Sequence, residues 1–295
     1  MQFPSGKIKP HAGWLALPLA LIFLAYFVLP LVLTIIVSFW DYTDYAIIPD
    51  LIFDNYIYIF DGCLSNEGGL CLTFKTYLST FFFCFFTWLI TLVLGFCVAY
   101  FLAFYVNSIP LQVCLFLVCT IPFWTSNVIR MVSWIPLLGR NGLVNEFLLS
   151  LGIIGQPIEW LLYSSFSVIL ALVHLYTLFM IVPIFNSMIR IDRSIVEAAY
   201  DAGASHIQII FNIIIPLSKT GIIIGSIFVV TVVMGDFLTI GIMGGQQLAS
   251  VGKIINTEMN YLQFPGAAAN AVILLIITIF IIYVMTKFID IRKEL

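Results

Sequence analysis

Charge is what this sequence most lacks. Asp, Glu, Lys and Arg make up 9% of its 295 residues, against 62% hydrophobic, and the mean hydropathy is +1.12. A water-soluble domain carries roughly 25% charged residues. A chain this poor in charge cannot cover itself with solvated groups, so its solvent is largely lipid. The formal net charge of −3 offers no basic excess and argues against a nucleic-acid partner. There is no CxxC pair and no His/Cys cluster, so no metal site is expected. A G-x-x-x-x-G-K-[ST] phosphate loop is also missing, so this chain is not expected to hydrolyse ATP or to hold a cofactor of its own.

What the sequence has instead is long apolar runs. A spanning helix needs about 20 apolar residues. Stretches at roughly 14–39, 77–104, 111–135, 161–186, 220–242 and 266–288 qualify, each separated from the next by charge, Gly or Pro. The first run is longer than a signal-peptide core and no small-x-small site closes it, so it is read as a retained helix. The expected architecture is an all-α membrane protein of six transmembrane helices, forming a single domain over residues 1–295. Segment 139–154 places Leu143, Phe147 and Leu151 at helical spacing, with Asn145 and Glu146 on another face. That pattern predicts a short amphipathic helix packing over the bundle between the third and fourth spans, with some contact to a partner. Cys84, Cys97, Cys114 and Cys119 sit in apolar runs and read as small core residues. Cys63 and Cys71, among Gly62, Gly68 and Gly69, either close a small disulfide loop or remain thiols.

Lys and Arg set the orientation. Lys7, Lys9, Arg190, Arg193, Lys219, Lys287, Arg292 and Lys293 fall in the two tails and the 187–219 loop. Lys75, Arg140 and Lys253 fall in the remaining loops, and Arg130 lies near a span end. Both termini and the 187–219 loop are therefore expected in the cytoplasm. The first outer loop is acidic, with Asp41, Asp44, Asp50, Asp54, Asp61 and Glu67, and Trp14, Trp40, Trp134 and Trp160 lie near span ends.

The 187–219 loop has its own local order. Ser194 precedes Glu197 by three residues and Ser205 precedes Gln208 by three, two capping-box patterns. Gly203 permits a tight break between them, and Pro216 is expected to end the second helix. Small side chains at Ala198, Ala199, Ala202 and Ala204 allow another surface to come close. Glu197 and Asp201, one turn apart, present charge. The pattern predicts a compact knob of two short helices; the plainer alternative is an amphipathic pair lying on lipid.

Glu197-Ala198-Ala199, Gly203, Ile213 and Ile215-Pro216 resemble the EAA-x3-G-x9-I-x-L-P signature of importer-type permeases of ATP-binding-cassette transporters, with Ile215 in place of Leu. The resemblance implies the type I importer permease fold, with the 187–219 loop forming coupling helices. Glu197, Ala198, Ala199, Asp201, Gly203, Ile213 and Pro216 would then dock a separate ATPase. The implied partners are two such ATPase subunits, which bind the ATP and Mg, a second related permease subunit and a periplasmic substrate-binding protein. The implied location is the bacterial inner membrane. Residues 122–130, 141–149, 243–245 and 264–265 further resemble permease subunits of spermidine/putrescine importers.

For a polyamine pathway the candidate residues are Asp236 and Phe237, with Trp124, Trp134 and Arg130. A carboxylate inside a span is costly and hence a functional candidate. It suits an ammonium group, and aromatic faces suit the methylene stem. Arg130 also offers the structural alternative, an ion pair with Asp236. His174, beside Tyr176, reads first as a satisfied core histidine, and Glu258 as solvated or facing a partner. Gly95, Pro122, Pro183, Gly221, Gly225 and Gly235 allow kinks and close helix approach. The rival classes are an intramembrane enzyme or a channel, but neither a catalytic spacing nor a polar filter repeat is present. Within the importer class the rival cargoes are another organic cation, an aminophosphonate, thiamine or an iron chelate.

Overall fold

The computed structural model describes residues 10–43, 46–61, 63, 71–245 and 247–287. Lys7, Lys9, Asp44, Gly62, Glu67, Gly68, Gly69, Arg292 and Lys293, named above, lie outside the described residues, as does the Trp14 side chain.

In lipid the backbone must satisfy its own hydrogen bonds, so the apolar runs fold as helices. α1 (Pro10–Phe23), a π-helical turn (Leu24–Val28) and α2 (Leu29–Val37) form the first run. A small hairpin pairs β1 (Asp41–Tyr42) with β2 (Ile47–Ile48), Asp41 opposite Ile48, and α3 (Asp54–Ile59) follows. α4 (Leu72–Tyr100) continues into a π turn (Phe101–Tyr105). α5 (Ile109–Thr120), a 3-10 turn (Ile121–Trp124), α6 (Asn127–Leu138) and α7 (Leu143–Ser150) lead to α8 (Ser165–Met188). Then come α9 (Arg193–Asp201), α10 (His206–Ile209), a π turn (Ile210–Ile214), α11 (Ile215–Leu217) and α12 (Lys219–Gly235). α13 (Leu238–Met243), α14 (Val251–Asn260) and α15 (Phe264–Thr286) complete the described chain.

Leu17–Val37, Leu72–Tyr105, Ser165–Met188 and Phe264–Thr286 are long and apolar enough to cross a membrane. Counting each of two bent helix pairs as one span raises the number to six. The run expected at 111–135 is not one straight helix. Ile109–Trp124 and Asn127–Ser150 meet at 89°. Pro122 tightens the end of the first into a 3-10 turn, and Thr125 is extended (φ −98°, ψ 151°). The run expected at 220–242 breaks at Asp236, between α12 and α13.

The chain divides into two compact units, residues 1–64 with 255–273 and residues 65–254 with 274–295. In the larger, α4, α8 and α12 pack together through small residues. Thr76, Thr80, Cys84, Thr87, Thr91, Gly95 and Ala99 recur every three or four positions and form the buried face of α4. The hydroxyls of Thr76, Thr80 and Thr91 return to carbonyls one turn back, which lets polar side chains sit in an apolar interface. Met180 of α8 lies between two glycines. A Cβ on Gly95 would come within 2.7 Å of its Cγ, and one on Gly225 within 2.9 Å of its Sδ. Gly221 is closer still, its absent Cβ only 2.4 Å from the Pro183 carbonyl oxygen. Such contacts draw helix backbones together where lipid supplies no hydrophobic drive.

α7 reverses the expected packing. Leu143, Phe147 and Leu151 are exposed, while Asn145 is fully buried. Its amide donates to the carbonyls of Gly139 and Ile158 and its Oδ1 accepts from the Ile158 amide, so the polar residue is the anchor. In the smaller unit, Ser38 Oγ lies 2.7 Å from Tyr56 Oη, and Asn55 donates to the carbonyls of Ser38 and Trp40. Glu258 is not simply solvated. It is half-buried, Asn270 Nδ2 donates to both its oxygens at 3.1 Å, and burial pushes its carboxyl above the usual range. Cys63 and Cys71 are both disulfide-bonded, while Cys84, Cys97, Cys114 and Cys119 are free.

Candidate functional site

The break after α12 is built around Asp236. Gly235 ends the helix, Asp236 is extended (φ −72°, ψ 117°), and the chain turns helical again at Leu238. A helix start leaves backbone donors unpaired. Asp236 Oδ1 accepts one of them, the Thr239 amide, at 2.9 Å. Its Oδ2 accepts the Thr239 hydroxyl and, from α8, the Tyr176 hydroxyl, both at 2.6 Å. Tyr176 and Thr239 are buried and Asp236 half-buried. A carboxylate has about four acceptor positions. Three are filled here, and one, on Oδ1, remains for a further donor.

The ion pair of Asp236 with Arg130 is not formed. Arg130 donates to Asn127 Oδ1, one turn earlier on α6, and its buried Nε has no partner. Asp236 is held by the Tyr176 and Thr239 hydroxyls and the Thr239 amide, and Arg130 reaches Asn127 instead of the carboxylate. Trp134 Nε1 donates to His174 Nδ1 at 3.1 Å, with the two rings edge to face at 5.6 Å. That bond satisfies His174 as expected, but the ring is exposed and not in the core. Trp124 is 86% exposed, and Phe237, next to Asp236 in the chain, is 37% exposed. Tyr176, which holds Asp236, is also part of an aromatic cluster that the sequence did not single out. The Phe179 ring lies 6.1 Å from Tyr176, 5.2 Å from Phe123 and 6.3 Å from Phe228. Phe179 stands one helical turn beyond Tyr176, and that spacing is the only sequence signal for it. Thr239 has none beyond lying three residues after an aspartate.

The 187–219 segment forms the helical knob, with two changes from expectation. Its first helix starts two residues earlier than the Ser194 pattern implies. Asp192 is the cap, its side chain accepting the Ser194 amide at 3.0 Å, because a carboxylate two residues ahead reaches that donor first. Nor does Pro216 end the second helix. The π turn 210–214 precedes it and widens the helix where Pro lacks a donor, so the chain runs on to Leu217 and bends by 69° at Ser218. Pro30, just after the π turn 24–28, is accommodated in the same way.

Between the two helices the geometry is tight. Gly203 has φ +84°, a left-handed conformation that suits glycine. Its amide bonds Tyr200 O and the Ala204 amide bonds Ala199 O, the paired bonds of a Schellman motif. Ser205 and Gln208 then make the reciprocal bonds of a capping box. Glu197, Ala198, Asp201, Gly203 and Pro216 are exposed, whereas Ala199 and Ile213 pack partly against the core. A groove of about 690 Å³ opens beside the knob, between the end of α8 and the start of α12. It is lined by Asn186, Arg190, Asp192, Thr220 and Phe228 among others. Among the described residues no three His, Cys, Asp or Glu side chains come together as a metal site would require.

Membrane-length helices, with a compact helical knob between α8 and α12, are the architecture of a membrane-embedded permease. The chain belongs to the family of binding-protein-dependent transport system inner membrane components, whose model matches residues 95–294. It is 34% identical to the spermidine/putrescine transport system permease protein PotB of Salmonella typhimurium over 280 residues, 94% of this chain and 90% of that one. It is 38% identical to PotB of Escherichia coli over 188 residues, 63% of this chain and 67% of that one. The fold is the type I importer permease fold. It matches a chain of the bacterial alginate ABC transporter, crystallised with its alginate pentasaccharide-bound periplasmic protein, with a TM-score of 0.73, 16% identity, and coverage of 94% of this chain and 92% of that one.

Proposed function

We propose that this chain is one of two permease subunits of an ATP-driven importer that moves a polyamine of the spermidine/putrescine class inward by alternating access. The observation that carries this reading is its likeness, over 94% of its length, to a permease named for that cargo. The Asp236 site supports it. An ammonium group can take the free acceptor position on Oδ1, while the exposed Phe237 offers a ring face to the methylene stem.

Both termini and the 187–219 segment face the cytoplasm in this reading. Two separate ATPase subunits bind ATP and Mg and grip the exposed face of Glu197, Ala198, Asp201 and Gly203. A second permease supplies the other half of the pathway. A periplasmic binding protein delivers cargo to the outer loops. Closure of the ATPase pair on ATP displaces the knob and turns the bundle outward-open, and hydrolysis returns it.

The test has two arms. Calorimetric screening of the cognate binding protein against spermidine, putrescine, thiamine, an aminophosphonate and an iron chelate identifies the cargo; tight binding of a non-amine alone overturns the polyamine reading. Reconstituted uptake by Asp236→Asn is expected to fall at least tenfold with the complex still assembled. Wild-type uptake in that variant removes Asp236 from the pathway.

A further inference from the structure

We propose that His206 is a positioning residue that joins the knob to the end of α4, so that the two move as one lever. The inference rests on the reading of 187–219 as the segment an ATPase moves. A knob that merely hung between α8 and α12 would pass its displacement only along the chain. The structure gives it a second, lateral attachment, made by side chains at the first residue of each of its helices.

At the start of α10 the His206 ring is bonded on both sides. Its Nδ1 lies 2.7 Å from Tyr200 Oη on α9, and its Nε2 lies 3.2 Å from Tyr100 Oη, the last residue of α4. Tyr200 stacks near the imidazole, with centroids 6.5 Å apart, and Tyr100 meets it edge-on at 5.9 Å. A neutral imidazole has one donor and one acceptor nitrogen, so the two hydroxyls play opposite roles and the ring cannot turn over without disturbing both bonds. At the start of α9, Arg193 donates to Asn107 Oδ1 at 2.6 Å and to the Ala103 carbonyl at 3.3 Å, in the stretch that directly follows α4. The Schellman turn and capping box between these two points make the knob stiff. Two attachments on such a body, which also continues along the chain into α8 and α12, restrain its orientation as well as its distance.

The test uses the assembled transporter in proteoliposomes with its binding protein and spermidine. Tyr100→Phe removes one hydroxyl from α4 and leaves the exposed face of the knob intact. The ATPase subunit is expected to copurify at wild-type stoichiometry, while spermidine moved per ATP hydrolysed falls about fivefold, the size expected for one lost hydrogen bond. Tyr200→Phe cuts the other side of the same bridge at an exposed residue, so it remains informative if Tyr100→Phe folds poorly. It should give a similar loss, and the double variant little more than either single variant. Unchanged transport per ATP in both single variants overturns the lever, as do losses that simply add. If no ATPase copurifies with the wild-type chain, the docking reading itself fails and the lever fails with it. Normal copurification with unaltered coupling in the variants sinks the lever alone.

Discussion

The helix breaks at Gly203 and at Asp236 are closed by different means. At Gly203 every closing group is local: the glycine, two backbone bonds to Tyr200 and Ala199, and the Ser205–Gln208 box. At Asp236 the local Thr239 contacts are completed by Tyr176, 60 positions earlier on α8. A break that must keep its shape at the surface is set by adjacent residues. A break inside the bundle answers to its neighbours, so a movement of α8 relative to α12 reaches the Asp236 carboxylate directly.

The largest expected effect is at the local break. Gly203→Val places a β-branched residue at φ +84°, at the upper end of the ~1–3 kcal/mol that such strain costs. The ATPase subunit should no longer copurify; normal copurification would show that the turn does not depend on this glycine. Next comes the long-range break. Tyr176→Phe removes one hydrogen bond to a charged group, worth about 1.5–3 kcal/mol. Uptake should fall several-fold with assembly intact, and a variant that transports normally would mean that Tyr176 does not set the carboxylate. Ser205→Ala should cost about 1 kcal/mol through the lost cap, seen as faster limited proteolysis at 202–206. The smallest effect is at Gly235, where a Cβ meets nothing within 4 Å. Gly235→Ala is expected to leave uptake and thermal stability unchanged within error. A clear loss there would make this break depend on glycine as the first one does.

How much of this is legible in the sequence follows the same division. Apolar runs, the Gly203 turn and the Ser205–Gln208 box depend on spacing within a few residues, and they can be read directly. The start of α9 is misread by two residues because Asp192 and Ser194 are both good caps, and only the folded backbone shows which reaches a free amide. Pro216 misleads because the rule that proline stops a helix assumes α geometry, and a π turn precedes it. α7 misleads because the helical spacing of Leu143, Phe147 and Leu151 identifies an apolar face without saying that it points inward. Of the Asp236 site, only the carboxylate and adjoining Phe237 are legible. Tyr176 belongs to it through the packing of α8 on α12, which no local pattern encodes.

Met180 and the two glycines around it have a consequence for how this chain can vary. With Gly95 2.7 Å and Gly225 2.9 Å from the methionine side chain, measured from where a Cβ would stand, three positions on three helices share one volume. None of them can drift alone. A lineage that gains a side chain at 95 or 225 is expected to carry a shorter residue at 180, so the trio should be inherited as a unit.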